Sequence, residues 1–304
     1  MREKLRILIL GADGQLGREL QRSFADCDEV LACGRKVLDL VVPKQIRSFI
    51  RDAKPDIILN AAAYTAVDRA ESEPELAMAV NGLAPGILTE EAQRIDSILV
   101  HFSTDYVFDG TKAGPWTEED APNPLNVYGA SKLAGENAIR QVGGRYLIFR
   151  TSWVYSARGH NFLLTMIKLG STHERIEIVN DQLGAPTSCI ELSDATRTVV
   201  RGVQQGQFGP PSNWAGLYHM TCAGATSWYG FAQTIFAQVR TRRDDELPSV
   251  IPIPTSQYPT PAKRPLNSVL ANDKLKRCFG IRLAHWESAL KAVVRNSMME
   301  ALSN

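Results

Sequence analysis

Residues 6–17 read RILILGADGQLG, and this stretch decides the fold. The apolar run over residues 7–10 contains β-branched side chains, which is typical of a buried strand. Gly11, Gly14 and Gly17 follow, at the start of an amphipathic stretch. A glycine turn between a strand and a helix predicts a dinucleotide site, because glycine permits close backbone approach and the helix N-terminus attracts a pyrophosphate. The spacing of two residues between successive glycines differs from the G-x-G-x-x-G pattern.

The first half of the chain alternates short β-branched runs with helix-length amphipathic stretches. We predict strands at residues 6–10, 30–33, 56–60, 98–102 and 146–150. We predict helices at residues 15–24, 42–53, 74–94 and 128–142. This alternation indicates a parallel sheet with helices on both faces. The expected fold class is α/β, a Rossmann-like doubly wound parallel sheet with a smaller, less regular α/β substrate-binding domain.

The alternation loosens after residue 150, where glycine and proline become frequent. We therefore expect residues 1–150 to form the dinucleotide-binding domain and residues 151–304 to form mainly the substrate-binding domain. Segments near residues 172–200 and 245–268 are expected to return to the first domain. Long loops of this kind suit a region that covers a substrate.

Composition excludes several classes of function. The chain has 304 residues, 22% of them charged, and a net charge of +1, so no basic footprint for nucleic acid is present. No apolar run is long enough for a signal segment or a membrane span, which makes a cytoplasmic location the expectation. The five cysteines form no Cys-x-x-Cys pair and the five histidines are scattered. We assign no disulfide framework and no metal site.

The end of the second predicted strand bears on the choice of cofactor. An acid at this place binds the ribose of NADH, whereas a basic residue accommodates the phosphate of NADPH. The chain reads Cys33-Gly34-Arg35-Lys36 here, without an acid. NADPH is therefore favoured, with Arg35 at the phosphate, and NADH stays open. The alternative is that Arg35 and Lys36 are solvated loop charges.

The third predicted strand is followed by small residues. Residues 60–65 read NAAAYT, so Ala61 and Ala63 leave room for a flat ligand beside the backbone. In open parallel sheets, ligands bind at this carboxyl edge. Ordinary small residues before a helix are the alternative explanation.

Tyr128 and Lys132 form the chain's only Tyr-x-x-x-Lys pair, and their spacing puts them on one helical face. Reduction of a ketone needs a hydride on carbon and a proton on oxygen, and a tyrosine is able to donate that proton. The unperturbed tyrosine pKa is about 10, and we expect the Lys132 ammonium to lower the pKa of Tyr128. Thr104, after the fourth strand, is expected to hydrogen-bond the carbonyl.

These features, in this order, resemble the extended short-chain dehydrogenase/reductases, and more specifically the dTDP-4-dehydrorhamnose reductase family. The resemblance runs from the first strand to about residue 290. Its motifs are residues 14–17, 60–65, 66–71, 103–108, 124–129, 150–155, 180–187 and 258–265. It implies reduction of the 4-keto group of dTDP-4-dehydro-β-L-rhamnose to dTDP-L-rhamnose, with hydride from NAD(P)H and the proton from Tyr128.

The resemblance also assigns site residues position by position. Cofactor contacts match Gly14, Gln15, Leu16, Asp39, Leu40, Ala63, Tyr64 and Thr65. To these we add Gly11, Gly17, Arg35, Ala61, Phe102, Tyr128 and Lys132. Phe102 stands where some relatives carry a tyrosine, so a hydroxyl near the cofactor is absent.

Thr104, Asp105 and Trp153 match contacts to the sugar nucleotide, and the Trp153 indole is expected to give the hexose a flat apolar wall. Arg264 lies in a proline-rich loop. We hypothesise that it pairs with the diphosphate of the substrate.

Metal binding and assembly stay open. Some relatives form dimers through a magnesium ion held by carboxylates from an early helix and from the segment after an Ala-Pro-Thr motif. Glu19 matches the first position, but the acids of residues 188–194 do not align. A homodimer is one expectation, and magnesium is not assigned.

Two other functions remain as alternatives. One is a nucleotide-sugar epimerase or dehydratase of the same fold, which regenerates its cofactor. The other is a dinucleotide-binding regulatory subunit that resembles the one of methionine adenosyltransferase. Intact Thr104, Tyr128 and Lys132 favour catalysis.

Overall fold

The computed structural model describes residues 5–25, 29–240 and 247–303. Its strands are β1 (Arg6–Leu10), β2 (Glu29–Cys33), β3 (Ile57–Asn60), β4 (Ile98–Thr104), β5 (Tyr146–Thr151), β6 (Val154–Tyr155), β7 (Arg175–Val179), β8 (Leu183–Gly184), β9 (Thr187–Ser188), β10 (Gly216–His219), β11 (Thr226–Ser227) and β12 (Ser249–Ile253). Its α-helices are α1 (Gln15–Phe24), α2 (Pro43–Ala53), α3 (Val67–Ala70), α4 (Pro74–Ala77), α5 (Ala84–Arg94), α6 (Val127–Val142), α7 (Phe162–Gly170), α8 (Cys189–Gln204), α9 (Pro211–Trp214), α10 (Trp228–Arg240), α11 (Asp273–Phe279) and α12 (Trp286–Ser303).

The central sheet has six parallel strands in the order β10-β5-β4-β3-β1-β2. The chain runs from β1 to β2 and then crosses β1 to reach β3. The strand order therefore reverses beside β1, and a crevice forms there at the carboxyl ends of the strands. In open α/β sheets this is the place where ligands bind.

Helices cover both faces of the sheet. Ile7 and Ile9 of β1 belong to one hydrophobic cluster, and Leu8 and Leu10 belong to a second. The first cluster includes side chains of α1 and α8, and the second includes side chains of α2, α5 and α6. Because successive strand residues point to opposite faces, both faces are buried. The sheet is doubly wound, as the sequence predicts.

The chain beyond β5 is less regular. It forms short two-stranded pairs, such as parallel β7 with β12, and the helices α7, α10 and α12. Leu163, Phe231 and Leu290 of these helices belong to the same hydrophobic cluster as the first face of the sheet. This part therefore packs on the sheet through a continuous core.

The predicted elements of the first half match the structure to within two residues at each end. The predicted helix over residues 74–94 is α4 and α5 joined by a π-helical segment, Met78–Leu83. The sequence did not predict β10, which comes from the second half and pairs with β5. The division of the chain at residue 150 stays a prediction.

Among the described residues, no helix combines the length and apolar character that a membrane span needs. Cys33, Cys189, Cys222 and Cys278 are free thiols. Cys27 lies outside the described residues, as do residues 1–4.

Gly17 is buried in α1 directly over the glycine turn, and a Cβ at this position would lie 2.1 Å from Gly11 O. We expect Gly17→Ala to reduce the free energy of unfolding by about 1 kcal/mol, because overpacking costs roughly 1–3 kcal/mol and outweighs the gain of about 1 kcal/mol in helix propensity. Urea unfolding without cofactor measures this loss. Gly114→Ala is the control, since nothing lies within 4 Å of a Cβ there. Equal stability of the two variants would contradict the packing role.

Candidate active site

The glycine turn joins β1 to α1. Gly11 has φ +77°, and a Cβ there would lie 2.7 Å from Ala62 N. Its N–H donates to Cys33 O at 3.0 Å, which fixes the turn against β2. Gly14 is the N-cap of α1 and provides no side-chain hydrogen bond, so the first turn keeps N–H groups for a ligand. Gly14 and Gln15 line a cavity, and this geometry suits a pyrophosphate.

Arg35 follows β2 at the rim of the same cavity. Its side chain is 73% exposed, and its Nε lies 4.0 Å from Asp39 Oδ1. An exposed pair at this distance contributes little to stability, so the guanidinium is able to bind an anionic ligand. Asp39 also lines the cavity.

Residues 61–65 follow β3 and line the cavity. Asn81 holds this segment, since its Oδ1 accepts from Tyr64 N at 2.8 Å and its Nδ2 donates to Tyr64 O at 3.0 Å. The same Nδ2 donates to Ser131 Oγ of α6 at 3.0 Å. Asn81 lies in the π-helical segment, and such segments are frequent at functional sites. Sequence reasoning missed Asn81, whose signal is a buried amide within a helix.

Tyr128 lies in the first turn of α6, and the start of this helix is fixed from two sides. Asn126 Oδ1 accepts from Gly129 N at 2.8 Å, and its Nδ2 donates to Lys263 O at 2.8 Å. A Cβ at Gly129 would lie 2.2 Å from Tyr106 O, so only glycine permits this approach. Tyr128 and Thr104 both line the cavity.

Lys132 lies one turn further along α6 and is 1% exposed. Its Nζ donates to Phe102 O at 2.5 Å and lies 3.2 Å from His101 Nε2. The opposite ring nitrogen of His101 lies 3.0 Å from Asn60 Nδ2. The buried histidine therefore lies between Lys132 and Asn60 at the end of β3, and its single acceptor nitrogen serves one of these two donors. Sequence reasoning missed His101, because one histidine within a strand gives no local signal.

Burial sets the pKa values of this group. It raises the pKa of Tyr128 to about 12, although the nearby Thr104 side chain opposes the rise. It also lowers the pKa of Lys132 to about 8. The expectation that Lys132 lowers the pKa of Tyr128 is wrong, because desolvation dominates and the Lys132 ammonium is directed at Phe102 O and His101. Tyr128 keeps its proton at neutral pH, as a proton donor must.

Trp153 follows β5 with φ +47°, a conformation that is rare for a large side chain. Its indole stacks on Trp228, with the ring centroids 3.5 Å apart and an angle of 5° between the planes. A Cβ at Gly184 would lie 2.4 Å from Trp153 Cε2, so only glycine fits beneath the ring. Both indoles line the cavity. The sequence indicated Trp153 and missed Trp228, which is indistinguishable from a core residue by local pattern.

The cavity has a volume of about 750 Å³ and lies at the carboxyl ends of β1, β3 and β4. The predicted site residues that line it are Gly11, Gly14, Gln15, Leu16, Arg35, Asp39, Leu40, Ala61, Ala63, Tyr64, Thr65, Phe102, Thr104, Asp105, Tyr128, Lys132 and Trp153. Gly17 and Arg264 are the two predicted residues that do not line it. The fold thus gathers residues from five predicted strand ends around one space.

The chain is similar along its length to known proteins. The family model described as RmlD substrate binding domain matches residues 5–299. A dTDP-4-dehydrorhamnose reductase from Burkholderia thailandensis is 47% identical over 303 residues, which cover 97% of this chain and 100% of that protein. The chain belongs to the dTDP-4-dehydrorhamnose reductase family.

Solved structures of this reductase family agree with that assignment. The enzyme from Bacillus anthracis, in complex with NADP, is 33% identical with a TM-score of 0.89, and the match covers 97% of this chain and 100% of that one. The enzyme from Clostridium acetobutylicum is 38% identical with a TM-score of 0.87, over 96% of this chain and 99% of that one. The resemblance carried by the sequence motifs is confirmed.

Arg264 was expected to contact the diphosphate of the reductase's substrate, and the structure gives it a different partner. Its Nη1 and Nη2 donate to Asp68 Oδ1 and Oδ2, at 3.0 and 2.7 Å. The guanidinium holds the pKa of Asp68 below its usual range. The pair ties the proline-rich loop to α3. Arg264 also lies near Tyr106, which lines the cavity. Burial raises the pKa of Tyr106, and the positive charge of Arg264 opposes this rise.

Glu19 matches a position that holds a magnesium ion in the dimers of some members of the reductase family, so the residues around it were compared with a metal site. Arg22 lies between two carboxylates, 2.7 Å from Glu19 Oε2 and 2.9 Å from Asp194 Oδ1. Ser23 Oγ also donates to Asp194, at 3.0 Å. Across residues 5–25, 29–240 and 247–303, no three His, Cys, Asp or Glu side chains are grouped to hold a metal ion. Within one chain, the Arg22 guanidinium balances these two acids.

Proposed function

We propose that this protein reduces the 4-keto group of dTDP-4-dehydro-β-L-rhamnose to give dTDP-L-rhamnose, with a hydride from NADPH and a proton from Tyr128. The proposal depends on one observation: Thr104, Tyr128 and Lys132 line the same cavity as the uncapped N-terminus of α1. The name of the relative from Burkholderia thailandensis supports the choice of substrate.

NADPH is the proposed cofactor, and NADH stays open. The N–H groups at the start of α1 would hold the pyrophosphate, and Gly11 gives the backbone space that a Cβ would fill. Arg35 would bind the additional phosphate, and residues 61–65 would lie along the ribose and nicotinamide half. The nicotinamide supplies the hydride when the cofactor is bound. The NADP complex of the relative from Bacillus anthracis supports this choice.

The protein's own residues supply the proton and its control. Tyr128, whose raised pKa keeps the phenol protonated, donates to the ketone oxygen. Thr104, in this proposal, hydrogen-bonds the ketone oxygen and stabilises charge as it develops there. Lys132 is fixed by Phe102 O and orients the cofactor ribose. Trp153 and Asp105 contact the sugar nucleotide in this proposal.

Location and assembly remain proposals as well. We propose that the protein works in the cytoplasm, and no membrane or nucleic-acid partner is part of the proposal. A homodimer is compatible with it and is not required by the site.

Tyr128→Phe tests the proton donor. We expect kcat to fall by roughly 10²–10⁴-fold, the usual contribution of a positioned acid, while NADPH affinity changes little. NADPH oxidation with dTDP-4-dehydrorhamnose made in situ measures both. Tyr106→Phe, which removes a phenol whose ring centroid lies 6.0 Å from that of Tyr128, should keep most of kcat. Full kcat in Tyr128→Phe would rule out the assignment, and catalytic rather than stoichiometric use of the cofactor would indicate an epimerase.

Arg35→Ala tests the choice of cofactor. Loss of a charge-assisted hydrogen bond of about 1.5 kcal/mol should raise the KM for NADPH roughly tenfold. The KM for NADH should stay the same, because NADH lacks the phosphate. Lys36→Ala is the matched control, since this neighbouring cation does not line the cavity. A strong preference of the wild type for NADH would contradict the role of Arg35.

Arg264→Ala and Asp68→Asn together test the diphosphate hypothesis. If Arg264 binds the diphosphate, Arg264→Ala raises the KM for the nucleotide sugar roughly tenfold or more. Asp68→Asn keeps the Arg264 guanidinium and removes the negative charge that pairs with it. Arg264 then remains able to bind a diphosphate, so the KM for the nucleotide sugar should not rise. Steady-state kinetics with both substrates varied separates the two effects. Equal increases in both variants would mean that Arg264 serves only to anchor the loop.

A further inference from the structure

Asp13 is an acidic residue within the glycine turn, and the proposed function does not yet use it. It is exposed and lines the cavity beside Gly14. The acid that binds the ribose of NADH ordinarily stands at the end of the second strand, and residues 33–36 contain none. The fold, however, brings Asp13 to this same place.

Backbone hydrogen bonds fix the glycine turn on the end of β2. Gly11 N and Ala12 N both donate to Cys33 O, at 3.0 and 3.1 Å. Asp13 is the next residue, and a Cβ built on Gly34 would overlap with its Oδ2 and lie 2.9 Å from its Cγ. The carboxylate of Asp13 therefore occupies the space that a side chain at residue 34 would need.

This space is where dinucleotide-binding folds distinguish the two nicotinamide cofactors. An acid at the end of the second strand accepts a hydrogen bond from the 2′-hydroxyl of the adenosine ribose, and a basic residue accommodates a 2′-phosphate. Gly34 and Arg35 directly follow β2, and both line the cavity. The Asp13 carboxylate and the Arg35 guanidinium thus lie at the same strand end and have opposite effects on the two cofactors.

Asp39 is another acid at this end of the cavity, and its carboxylate is engaged by the protein. Its Oδ1 accepts from Val41 N at 3.1 Å and lies 4.0 Å from Arg35 Nε. Asp13 is held differently, because Arg18 Nε donates to its backbone O at 3.2 Å. That contact does not involve the carboxylate of Asp13, which makes Asp13 the better placed acid for a ligand.

We propose that Asp13 is a specificity-determining residue whose carboxylate accepts a hydrogen bond from the 2′-hydroxyl of NADH and repels the 2′-phosphate of NADPH. This inference rests on the proposed use of a nicotinamide cofactor and adds the residue that opposes Arg35. The glycine turn supplies the acid that β2 lacks, and glycine at residue 34 leaves room for it. The cofactor preference of the protein is then a balance between Asp13 and Arg35.

Substitution of Asp13 should change the two affinities in opposite directions. Asp13→Ala removes a charged acceptor, so NADH binding should weaken roughly tenfold. It also removes the repulsion of a phosphate, so NADPH binding should tighten roughly fivefold, the effect of one charge about 4 Å away in water. Asp13→Asn keeps the shape and an acceptor oxygen. It should tighten NADPH binding to a similar extent and weaken NADH binding less.

The measurement is direct binding of NADH and of NADPH to the protein without a ketone, followed by cofactor fluorescence. Competition by adenosine 2′,5′-bisphosphate assigns the effect to the 2′ position, and this ligand should also bind more tightly to both variants. Asp52→Asn is the control, because it removes the charge of an exposed acid near the end of α2 that does not line the cavity. Both dissociation constants should stay the same in this control.

The outcomes separate the inference from the proposed function. Equal changes for the two cofactors would mean that Asp13 only shapes the glycine turn, and unchanged affinities would leave the ribose to Asp39. Either result overturns the inference. Thermal unfolding without cofactor reports whether the variants are folded, and the conservative Asp13→Asn provides the test if Asp13→Ala is not. A wild type that binds NADPH and does not oxidise it with dTDP-4-dehydrorhamnose overturns the proposed function instead.

Discussion

The burial of the Lys132 ammonium is the constraint on which the site depends. A buried charge is costly unless hydrogen bonds satisfy it, and here Phe102 O and His101 do so. Both partners belong to β4, so α6 is held against this strand in one register. Tyr128, one turn earlier on the same helix, therefore meets Thr104 at the end of the same strand. The position of Tyr128, the proposed proton donor, therefore follows from the contacts that satisfy the buried charge of Lys132.

Two further buried polar contacts keep α6 in this position. Asn81 hydrogen-bonds the backbone N–H and C=O of Tyr64 and the hydroxyl of Ser131. These contacts tie residues 61–65 to α6. Glu136, one turn after Lys132, forms a buried ion pair with Arg150 of β5, with 2.7 Å between Oε2 and Nη2. Removal of one partner from such a pair leaves a buried charge unpaired. Few alternative packings of α6 would satisfy all these groups at once.

The sequence predicted the elements well wherever hydrophobic periodicity was strong. The strands and helices that were predicted between residues 6 and 151 lie within two residues of their observed bounds, whereas the short helix α3 was not predicted. Strand β10 was missed because its four residues carry no alternation, and its partner β5 lies about 70 residues earlier. Trp228 and His101 were missed for a similar reason, since one aromatic residue in a helix or strand has the same local pattern in a core as in a site. The pairing of Arg264 with Asp68 joins residues 196 positions apart, and no local motif contains it.

By itself the sequence determined the doubly wound sheet, the glycine turn, the family, and the set of residues that gather at the carboxyl edge. These properties depend on hydrophobic periodicity and on the order of short motifs, and both can be read from residues that are close together in the sequence. Only the tertiary structure decided the protonation of Tyr128 and Lys132, the partner of Arg264 and the unpartnered oxygen of Asp105. Desolvation and long-range contacts set these properties, and both arise only when distant segments pack together.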